Sequence, residues 1–442
     1  MNFIVVFGGV SFEHEISIVS AIALKKELSN IAHFVFIDAQ NDLYLIPRES
    51  MTSKHFSSSA YKKDAKVSFA KGGFLRKGLF KGEILSGIVI NLIHGKSGED
   101  GQIAGLLDFY QIPFIGPRIE ACAISFSKEL TKSYAKARGV KVLDYKVINS
   151  NVCNSSLGAP CGDLANFECS QTPSLVSHSK FAKNSTTSTA NTRIVDSNKN
   201  DSSDSKHEAN SSIFDEKSGF CETSNEDKTN SLSRKRVEAI PDLSQKDAEF
   251  AKDEFATFPC IVKPAHLGSS IGIAVAKESD DLPYALDCAF EYDSSVIIEP
   301  FIPHIREFNL AGCKVGNEFI FSIIEEVKKD EFFAFEDKYL DFQGSGKKKA
   351  ANLSDEMNAK IQENFKAIYE NCFEGALIRC DFFMLENEIY LNEINPIPGS
   401  LAYYLFDDFS GAIRTLAQNL PKERKIPIKY NYISKIQAQK GK

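Results

Sequence analysis

The hydrophobic pattern of residues 1–118 predicts a small doubly wound α/β unit. The apolar run NFIVVFGG (residues 2–9) is typical of a buried parallel strand that turns sharply at its two glycines. Apolar residues then recur at helical spacing in EHEISIVSAIALKKEL (residues 13–28). HFVFID (33–38) and GIVINLIHG (87–95) supply further strands, so the pattern indicates parallel strands connected by helices.

Two glycine-bearing segments follow predicted strands of this unit. Gly8 and Gly9 end the first strand, and HGKSGEDG (residues 94–101) ends a later one. Parallel α/β sheets bind ligands beyond the carboxyl ends of their strands, so both segments are candidate ligand loops. Each segment alone is also typical of a surface turn, and a carboxylate at Glu13 also suits the positive end of a helix.

The second half of the chain has the β-branched and aromatic runs of antiparallel strands. FPCIVKPAHLGSSIGIAVA (residues 258–276) has the pattern of a strand, a Gly-Ser loop and a second strand. The other elements predicted here are strands at 295–302, 306–315 and 318–327, helices at 242–255 and 354–370, and a hairpin at 377–400.

Residues 150–236 differ from the rest of the chain in composition. Roughly a third of them are Ser or Asn, hydrophobic residues are sparse, and no period survives. We therefore predict that this segment is a long disordered insertion and not a folded domain. The basic, polar segment 425–442 is predicted to be a solvated tail.

The predicted hairpin carries charged groups among apolar ones. A three-residue loop centred on Asn387 sets Asp381 opposite Glu393 and Arg379 opposite Asn395, with all four on one face. The other face receives Ile378, Cys380, Phe382, Met384, Tyr390 and Ile394. Two facing carboxylates and an amide oxygen form a ligand set suited to Mg²⁺. The alternative is an ordinary ion-pair cluster in which Arg379 neutralises Asp381 and Glu393 and no metal binds.

The Gly-Ser loop KPAHLGSSIGI resembles a phosphate cradle, because Gly and Ser expose backbone N–H groups and Lys263 supplies a positive charge. It is not a Walker A loop, since Ile271, Ile273 and Val275 follow in strand alternation where that motif opens a helix. We expect the loop to fold over phosphates as a hairpin lid. A plain Gly-rich hairpin is the alternative.

Composition narrows the class of partner. The net charge of -7 and the pI near 5.8 disfavour nucleic acid or an anionic membrane surface as the main partner. The N-terminus lacks the features of a signal peptide, and no apolar run is long enough to span a membrane, so we expect a soluble cytoplasmic protein. The 10 cysteines form no C-x-x-C pair, which favours reduced thiols and disfavours zinc.

Nine segments, taken in order, resemble the D-alanine:D-alanine ligase family of ATP-grasp enzymes. They are GGVSFEHEIS, HGKSGEDG, IPFIGP, SKELTK, IVKPAHLGSSIGI, IIEPFI, FEDKY, IRCDFF and NEINPIPGS. The match covers the chain apart from the insertion and the tail.

The resemblance implies a three-domain ATP-grasp ligase. ATP would phosphorylate one D-alanine, and the amine of a second would attack the acyl phosphate to give D-alanyl-D-alanine, a peptidoglycan precursor. The implied cofactors are ATP and Mg²⁺, with Mn²⁺ as an alternative, and the implied assembly is a homodimer. The predicted segments are an N-terminal substrate-binding domain (1–118), a central ATP-grasp subdomain (119–149 and 237–302), the insertion (150–236), a C-terminal catalytic subdomain (303–424) and the tail (425–442).

The resemblance also assigns roles to single residues. The residues matching catalytic positions are Glu13, Ser269, Tyr339, Arg379 and Gly399. Those matching ATP contacts are Lys128, Lys263, Ser269, Glu299, Pro300, Phe301, Ile302, Glu307 and Lys338. Asp381, Glu393 and Asn395 match the Mg²⁺ ligands, and His94 matches a residue near the second substrate. Glu13 would orient the first ammonium group, and Arg379 with the Gly399 N–H would stabilise the tetrahedral oxyanion.

The sequence departs from the family pattern near the second substrate. Tyr404 stands where the family has a serine that holds the second carboxylate. The interval from Glu299 to Glu307 is longer than expected, which puts the ribose contact in doubt. Tyr339 favours the dipeptide product, and ligation of D-alanine to D-lactate or another acceptor is the alternative. A nucleotide-binding protein without turnover and a nicotinamide dehydrogenase are disfavoured, the latter because the first strand lacks a G-x-G-x-x-G turn.

Overall fold

The buried residues from Phe3 to Phe7 form the central strand of the first of three sheets found among the described residues. The structure is a computed structural model and describes residues 1–78, 82–150, 257–327, 349–422 and 427–440. The predicted insertion beyond residue 150, the predicted helix 242–255, and the predicted lid residues Lys338 and Tyr339 lie outside them. Strands and helices share the described residues, which confirms the predicted mixed α/β class.

The N-terminal unit builds one sheet with helices on its faces. Its strands are β1 (Phe3–Gly8), β2 (Ile31–Ile37), β3 (Leu43–Ile46), β4 (Ala65–Ala70), β5 (Gly73–Arg76), β6 (Glu83–Leu85), β7 (Ile88–Asn91) and β8 (Phe114–Ile115). Its helices, with those that lead out of it, are α1 (His14–Glu27), α2 (Ser53–Ser57), α3 (Gln102–Phe109), α4 (Ile119–Phe126) and α5 (Lys128–Ala137).

Only part of this sheet has the predicted doubly wound topology. The strand order is β6-β5-β4-β3-β2-β1-β7-β8, and the parallel pairs are β1 with β2, β1 with β7, and β7 with β8. From β2 to β6 the strands form an antiparallel meander that the hydrophobic pattern did not predict. The strands that were not predicted, β3 to β6, have three to six residues, too short for an apolar period to emerge.

Two four-stranded antiparallel sheets follow, each covered by a helix. The second sheet has the order β11-β10-β12-β9, formed by β9 (Lys146–Asn149), β10 (Cys260–Pro264), β11 (Ala274–Ala276) and β12 (Ser295–Pro300), with α6 (Leu282–Phe290). The third has the order β14-β13-β15-β16, formed by β13 (Arg306–Val315), β14 (Glu318–Val327), β15 (Ile378–Leu385) and β16 (Glu388–Asn395), with α7 (Asp355–Tyr369). The 3-10 turn Gly399–Leu405, α8 (Phe409–Gln418) and α9 (Asn431–Lys440) complete the order.

One apolar cluster joins the first sheet to the C-terminal elements. Phe3 and Phe7 from β1 lie in the same buried cluster as Leu401 from the 3-10 turn and Ile413 from α8. Each fully buried side chain of this size contributes about 1.5–3 kcal/mol. The packing therefore holds the helix that follows β1 against the 3-10 turn that follows β16.

The hairpin of β15 and β16 has the predicted pairing at Asp381 and Arg379, but a different turn. Asp381 pairs with Glu393 and Arg379 with Asn395, as expected, but the turn has two residues, Glu386 and Asn387, both with positive φ. A register shift between Asp381 and Phe382 adds the missing residue at Asn392. Between the turn and Asn392, the side chains of β16 therefore point to the opposite faces from those predicted. Ile389 and Leu391 are buried on the apolar face, where the sequence pattern had placed Tyr390.

Gly8 is required by the sharp turn at the end of β1. Its φ is +97°, and a Cβ there would lie 2.2 Å from the Ile37 carbonyl oxygen. We expect Gly8→Ala to lower the free energy of unfolding by about 3 kcal/mol, from left-handed backbone strain and overpacking together. Gly72→Ala is the control, since Gly72 has φ +80° with nothing within 4 Å of its Cβ position. Urea unfolding that gave equal losses for both variants would contradict the steric explanation.

The described C-terminal residues form an exposed helix. The predicted polar tail includes α9, and the side chains described within it are exposed. No helix of the described residues is both long and apolar enough to cross a membrane.

Candidate active site

Polar side chains meet on one face of the β15–β16 hairpin. Arg379 donates from Nε to Asp381 Oδ1 (2.6 Å) and from Nη2 to Oδ2 (2.8 Å). Asn395 Nδ2 donates to the same Oδ2 (3.0 Å), and Glu393 pairs with Asp381 across the ladder. The structure thus brings together the residues that the hairpin pattern singled out.

Asp381 is a buried carboxylate under opposing influences. Burial raises its pKa, the adjacent Arg379 guanidinium lowers it, and Glu393 raises it again, so that the pKa is about 6. A carboxylate with its ordinary pKa would hold its charge more easily, so the Arg379 contact alone does not compensate the site. A further cation beside Asp381 and Glu393 would relieve their repulsion.

The donor set fits a cation that prefers oxygen. In the part of the chain that the structure describes, no group of three or more His, Cys, Asp or Glu side chains is placed to hold a metal ion. A cation at the hairpin would therefore rely on Asp381, Glu393 and the amide of Asn395, whose oxygen replaces its nitrogen after half a turn of the amide. Two carboxylates and one amide leave coordination positions for water and phosphate, as Mg²⁺ requires.

Three lysines and one glutamate form a buried charged group beside the second sheet. Lys263 Nζ lies 2.6 Å from Glu299 Oε2, and Lys132 forms an ion pair with Glu299 Oε1. Burial opposes ionisation of Glu299, but Lys263 and Lys132 outweigh it and lower its pKa to about 2. Lys128 lies near the same group, and its pKa is lowered by burial and raised in part by Glu393 and Glu299. Lysine ammonium groups gathered in this way suit a phosphate ligand.

The Gly-Ser loop between β10 and β11 lies over these lysines. Lys128 donates from its backbone N to the Ala265 oxygen (3.0 Å) and from its Nζ to the Leu267 oxygen. Ser269 and Ser270 have positive φ (56° and 57°), a conformation that costs energy outside glycine. The predicted hairpin arrangement of the loop is present, although β11 begins only at Ala274.

Glu13 links the N-terminal unit to this loop. Its Oε1 accepts a short hydrogen bond from Ser269 Oγ, and its Oε2 has no hydrogen-bond partner among the described residues. Glu13 is 6% exposed, and burial followed by the charge of Glu99 raises its pKa. A buried carboxylate oxygen without a donor is a ready acceptor for a ligand ammonium group.

Ser20 connects His94, a predicted second-substrate residue, to the 3-10 turn that follows β16. Its Oγ lies 3.2 Å from His94 Nε2 and accepts a hydrogen bond from the Ser400 backbone N (2.9 Å). Ser400 follows Gly399 at the start of the 3-10 turn, where Ser400, Leu401 and Ala402 all have φ near +50°. Backbone strain of this kind persists where surrounding packing fixes it, and it is common at functional sites.

Comparison with known proteins settles the family. Residues 2–117 match the family described as D-ala D-ala ligase N-terminus, and residues 236–411 match D-ala D-ala ligase C-terminus. Curated D-alanine–D-alanine ligases from Campylobacter jejuni subsp. doylei and from Wolinella succinogenes are each 43% identical over 443 residues, covering 100% of both chains. The chain belongs to the D-alanine–D-alanine ligase family.

Solved structures give the same answer for the fold. A D-alanine–D-alanine ligase from Helicobacter pylori matches with a TM-score of 0.66 and 39% identity, covering 96% of this chain and 100% of that one. The predicted ATP-grasp fold is thereby confirmed. A D-Ala:D-Ser ligase from Enterococcus faecalis matches with a TM-score of 0.60 at 19% identity and shares the fold alone. The family fold therefore does not by itself determine the second substrate.

The remaining predicted residues have mixed positions in the structure. Two lysines bind the Glu299 side chain, so this side chain is not available to adenine. An adenine bound here would contact the backbone and the apolar side chains of Pro300, Phe301 and Ile302. Glu307 is the second residue of β13 and acts electrostatically on Asp381 and Lys263. Lys338 and Tyr339 lie outside the described residues.

Two site residues were not predicted from the sequence. Lys132 lies one helical turn after Lys128 on α5, and this spacing places both on one face, a signal that was available. Ser20 had no comparable signal, because its contacts come from elements distant in the sequence.

Proposed function

We propose that the chain joins two molecules of D-alanine into D-alanyl-D-alanine, with ATP converted to ADP and phosphate. The γ-phosphoryl group first passes to the carboxylate of one D-alanine. The amine of the second then attacks the acyl carbon, and the bond between that carbon and the phosphate oxygen breaks. We further propose that the chain acts as a cytoplasmic homodimer that supplies peptidoglycan precursor, with no nucleic acid or membrane as partner.

The observation that carries this proposal is the link between Glu13 and the Gly-Ser loop. Glu13 Oε2 is a buried acceptor without a hydrogen-bond partner among the described residues, while Oε1 is held by Ser269 of the loop. An ammonium group at Oε2 would therefore lie beside a loop suited to phosphate. An amino acid next to a nucleotide is the arrangement that an amino-acid ligase requires.

The lysines and the hairpin residues would bind different parts of the magnesium nucleotide. The buried positive charge of Lys128 and Lys263 suits the phosphates, and Asp381, Glu393 and Asn395 would hold Mg²⁺. When bound, the ion would neutralise charge on the nucleotide phosphates. Glu307 and the backbone of residues 299–302 would bind ribose and adenine.

Arg379 and the Gly399 backbone N–H would stabilise the negative charge that develops on the acyl oxygen when the amine adds to the acyl carbon. Arg379 is held in one orientation by its two hydrogen bonds to Asp381, so its guanidinium needs little reorganisation when charge develops. The Gly-Ser loop, tied to Glu13, would exclude water from the acyl phosphate. Lys338 and Tyr339 are proposed to complete that closure.

The test is product analysis with purified protein. Incubation with ATP, Mg²⁺ and D-alanine is expected to give D-alanyl-D-alanine as the dominant product by mass. An equimolar mixture with D-lactate is expected to give the same product. An ester product with D-lactate would favour the alternative acceptor, and absence of any D-alanine-dependent phosphate release would contradict the proposal.

Tyr404 is proposed to contact the second D-alanine. Its pKa is raised by burial, while Arg379, to which it is hydrogen-bonded, lowers the pKa. We expect Tyr404→Phe to raise the KM for the second D-alanine by about 10-fold, the effect of losing one hydrogen bond to a charged group, with kcat little changed. Steady-state kinetics would measure this, and Tyr403→Phe, on the neighbouring residue, is the control. An unchanged KM would remove Tyr404 from the site.

A further inference from the structure

Lys132 is a buried cation to which the proposed chemistry gives no role. It lies on α5 with 2% of its side chain exposed, and its ion-pair partner Glu299 is equally buried. Lys263, on the other oxygen of the same carboxylate, has 11% of its side chain exposed. The two lysines therefore share one glutamate, but Lys263 is the one more open to solvent and ligand.

Nucleotide binding would change the charges around Glu299. If Lys263 turns toward a phosphate, its interaction with Glu299 weakens. A buried carboxylate left without a partner is strongly unfavourable. The Lys132 ammonium, on the opposite oxygen, remains to compensate Glu299 when Lys263 moves.

The surroundings of Lys132 hold it on the Glu299 side. Its Nζ lies 5.6 Å from the centre of the Tyr145 ring, within the range of a cation–π contact. Lys128 precedes it by one turn on α5, so the helix presents two cations to the same region. Burial lowers the pKa of Lys132, and the ion pair with Glu299 raises it in part.

We propose that Lys132 is a positioning residue: a permanent counter-ion for Glu299 that frees Lys263 to bind a nucleotide phosphate. This inference rests on the proposed ATP-dependent function. Lys132 itself does not touch the nucleotide. Its effect is specific to ligands that carry phosphate, because only these draw Lys263 away from Glu299.

Calorimetric binding of ADP and of adenosine, both with Mg²⁺, tests the proposal. Lys132→Met is expected to weaken ADP binding at least 10-fold and to change adenosine binding less than about threefold, because Lys263 then stays with Glu299. The double variant Lys132→Met with Glu299→Gln is expected to bind ADP within about threefold of Glu299→Gln alone, because no buried carboxylate remains to be compensated. Lys136→Met is the control, because Lys136 lies one turn after Lys132 on α5 but is exposed, and this variant is expected to match the native chain.

Three results would overturn the inference. One is an equal loss of ADP and adenosine binding in Lys132→Met, which indicates general damage. Another is unchanged ADP binding. The third is a loss of ADP binding in the double variant well beyond that of Glu299→Gln, and this comparison holds even if Lys132→Met alone does not fold. Failure of the native chain to bind ADP at all would instead count against the proposed function.

Discussion

Replacement of Arg379 by methionine is expected to lower kcat for dipeptide formation by about 10³-fold, the upper range for loss of one oxyanion donor. The guanidinium is fixed by paired hydrogen bonds of 2.6 and 2.8 Å to Asp381, so its charge is oriented before reaction. The KM for ATP is expected to change less than about threefold, since the buried lysines remain. Steady-state kinetics at saturating D-alanine would measure both parameters.

The control for Arg379 is another arginine of the same sheet. Arg306 pairs with Glu326 at 2.6 Å on β13 and β14, but the pair is substantially exposed. Arg306→Met is expected to change kcat less than about twofold, as exposed ion pairs contribute little. A kcat for Arg379→Met within 10-fold of the native value would contradict the oxyanion role. Thermal unfolding of the variant would be measured alongside, because Asp381 loses its partner.

Replacement of Glu13 by glutamine is expected to raise the KM for the first D-alanine by about 100-fold, the scale of one charge-assisted hydrogen bond between buried groups. The carboxylate oxygen without a partner is the proposed acceptor of the substrate ammonium. The KM for ATP is expected to stay within about threefold. Glu15→Gln, on the exposed first turn of α1, is the control and is expected to leave both values unchanged.

The effect of Glu13→Gln on thermal stability is expected to depend on pH. The pKa of Glu13 is raised in the folded protein, chiefly by burial, so folding favours its protonated form. Its contribution to stability is therefore present below its unfolded pKa near 4.5 and is lost as pH rises through the folded pKa. Without ligands, Glu13→Gln is expected to gain thermal stability relative to the native chain between pH 4 and pH 8. A difference that does not change with pH would contradict the burial of an ionised Glu13.

Much of the site could be predicted because its residues lie close together in sequence. The hairpin alternation placed Asp381 opposite Glu393 without any knowledge of the fold, and the structure has that pair. The prediction of the turn failed, since two residues at positive φ and a shift at Asn392 replace the three-residue loop. A bulge depends on packing from other elements, here the core side of the third sheet, and leaves no local sequence signal.

The contacts that the sequence did not predict join distant elements. Glu299 was assigned through the segment that follows it, but its side chain is held by Lys132 and Lys263 from different elements. Ser20 likewise meets His94 and Ser400 only in the folded chain. The strands β3 to β6 were missed because short half-buried strands lack a clear apolar period.

The proposed reaction phosphorylates one D-alanine on its carboxylate before the peptide bond forms. The most direct test uses D-alanine with both carboxyl oxygens replaced by ¹⁸O, together with unlabelled ATP and Mg²⁺, and mass analysis of the phosphate released. We expect each released phosphate to carry one ¹⁸O and the new amide to keep one. Release of unlabelled phosphate during dipeptide synthesis would contradict the proposed reaction.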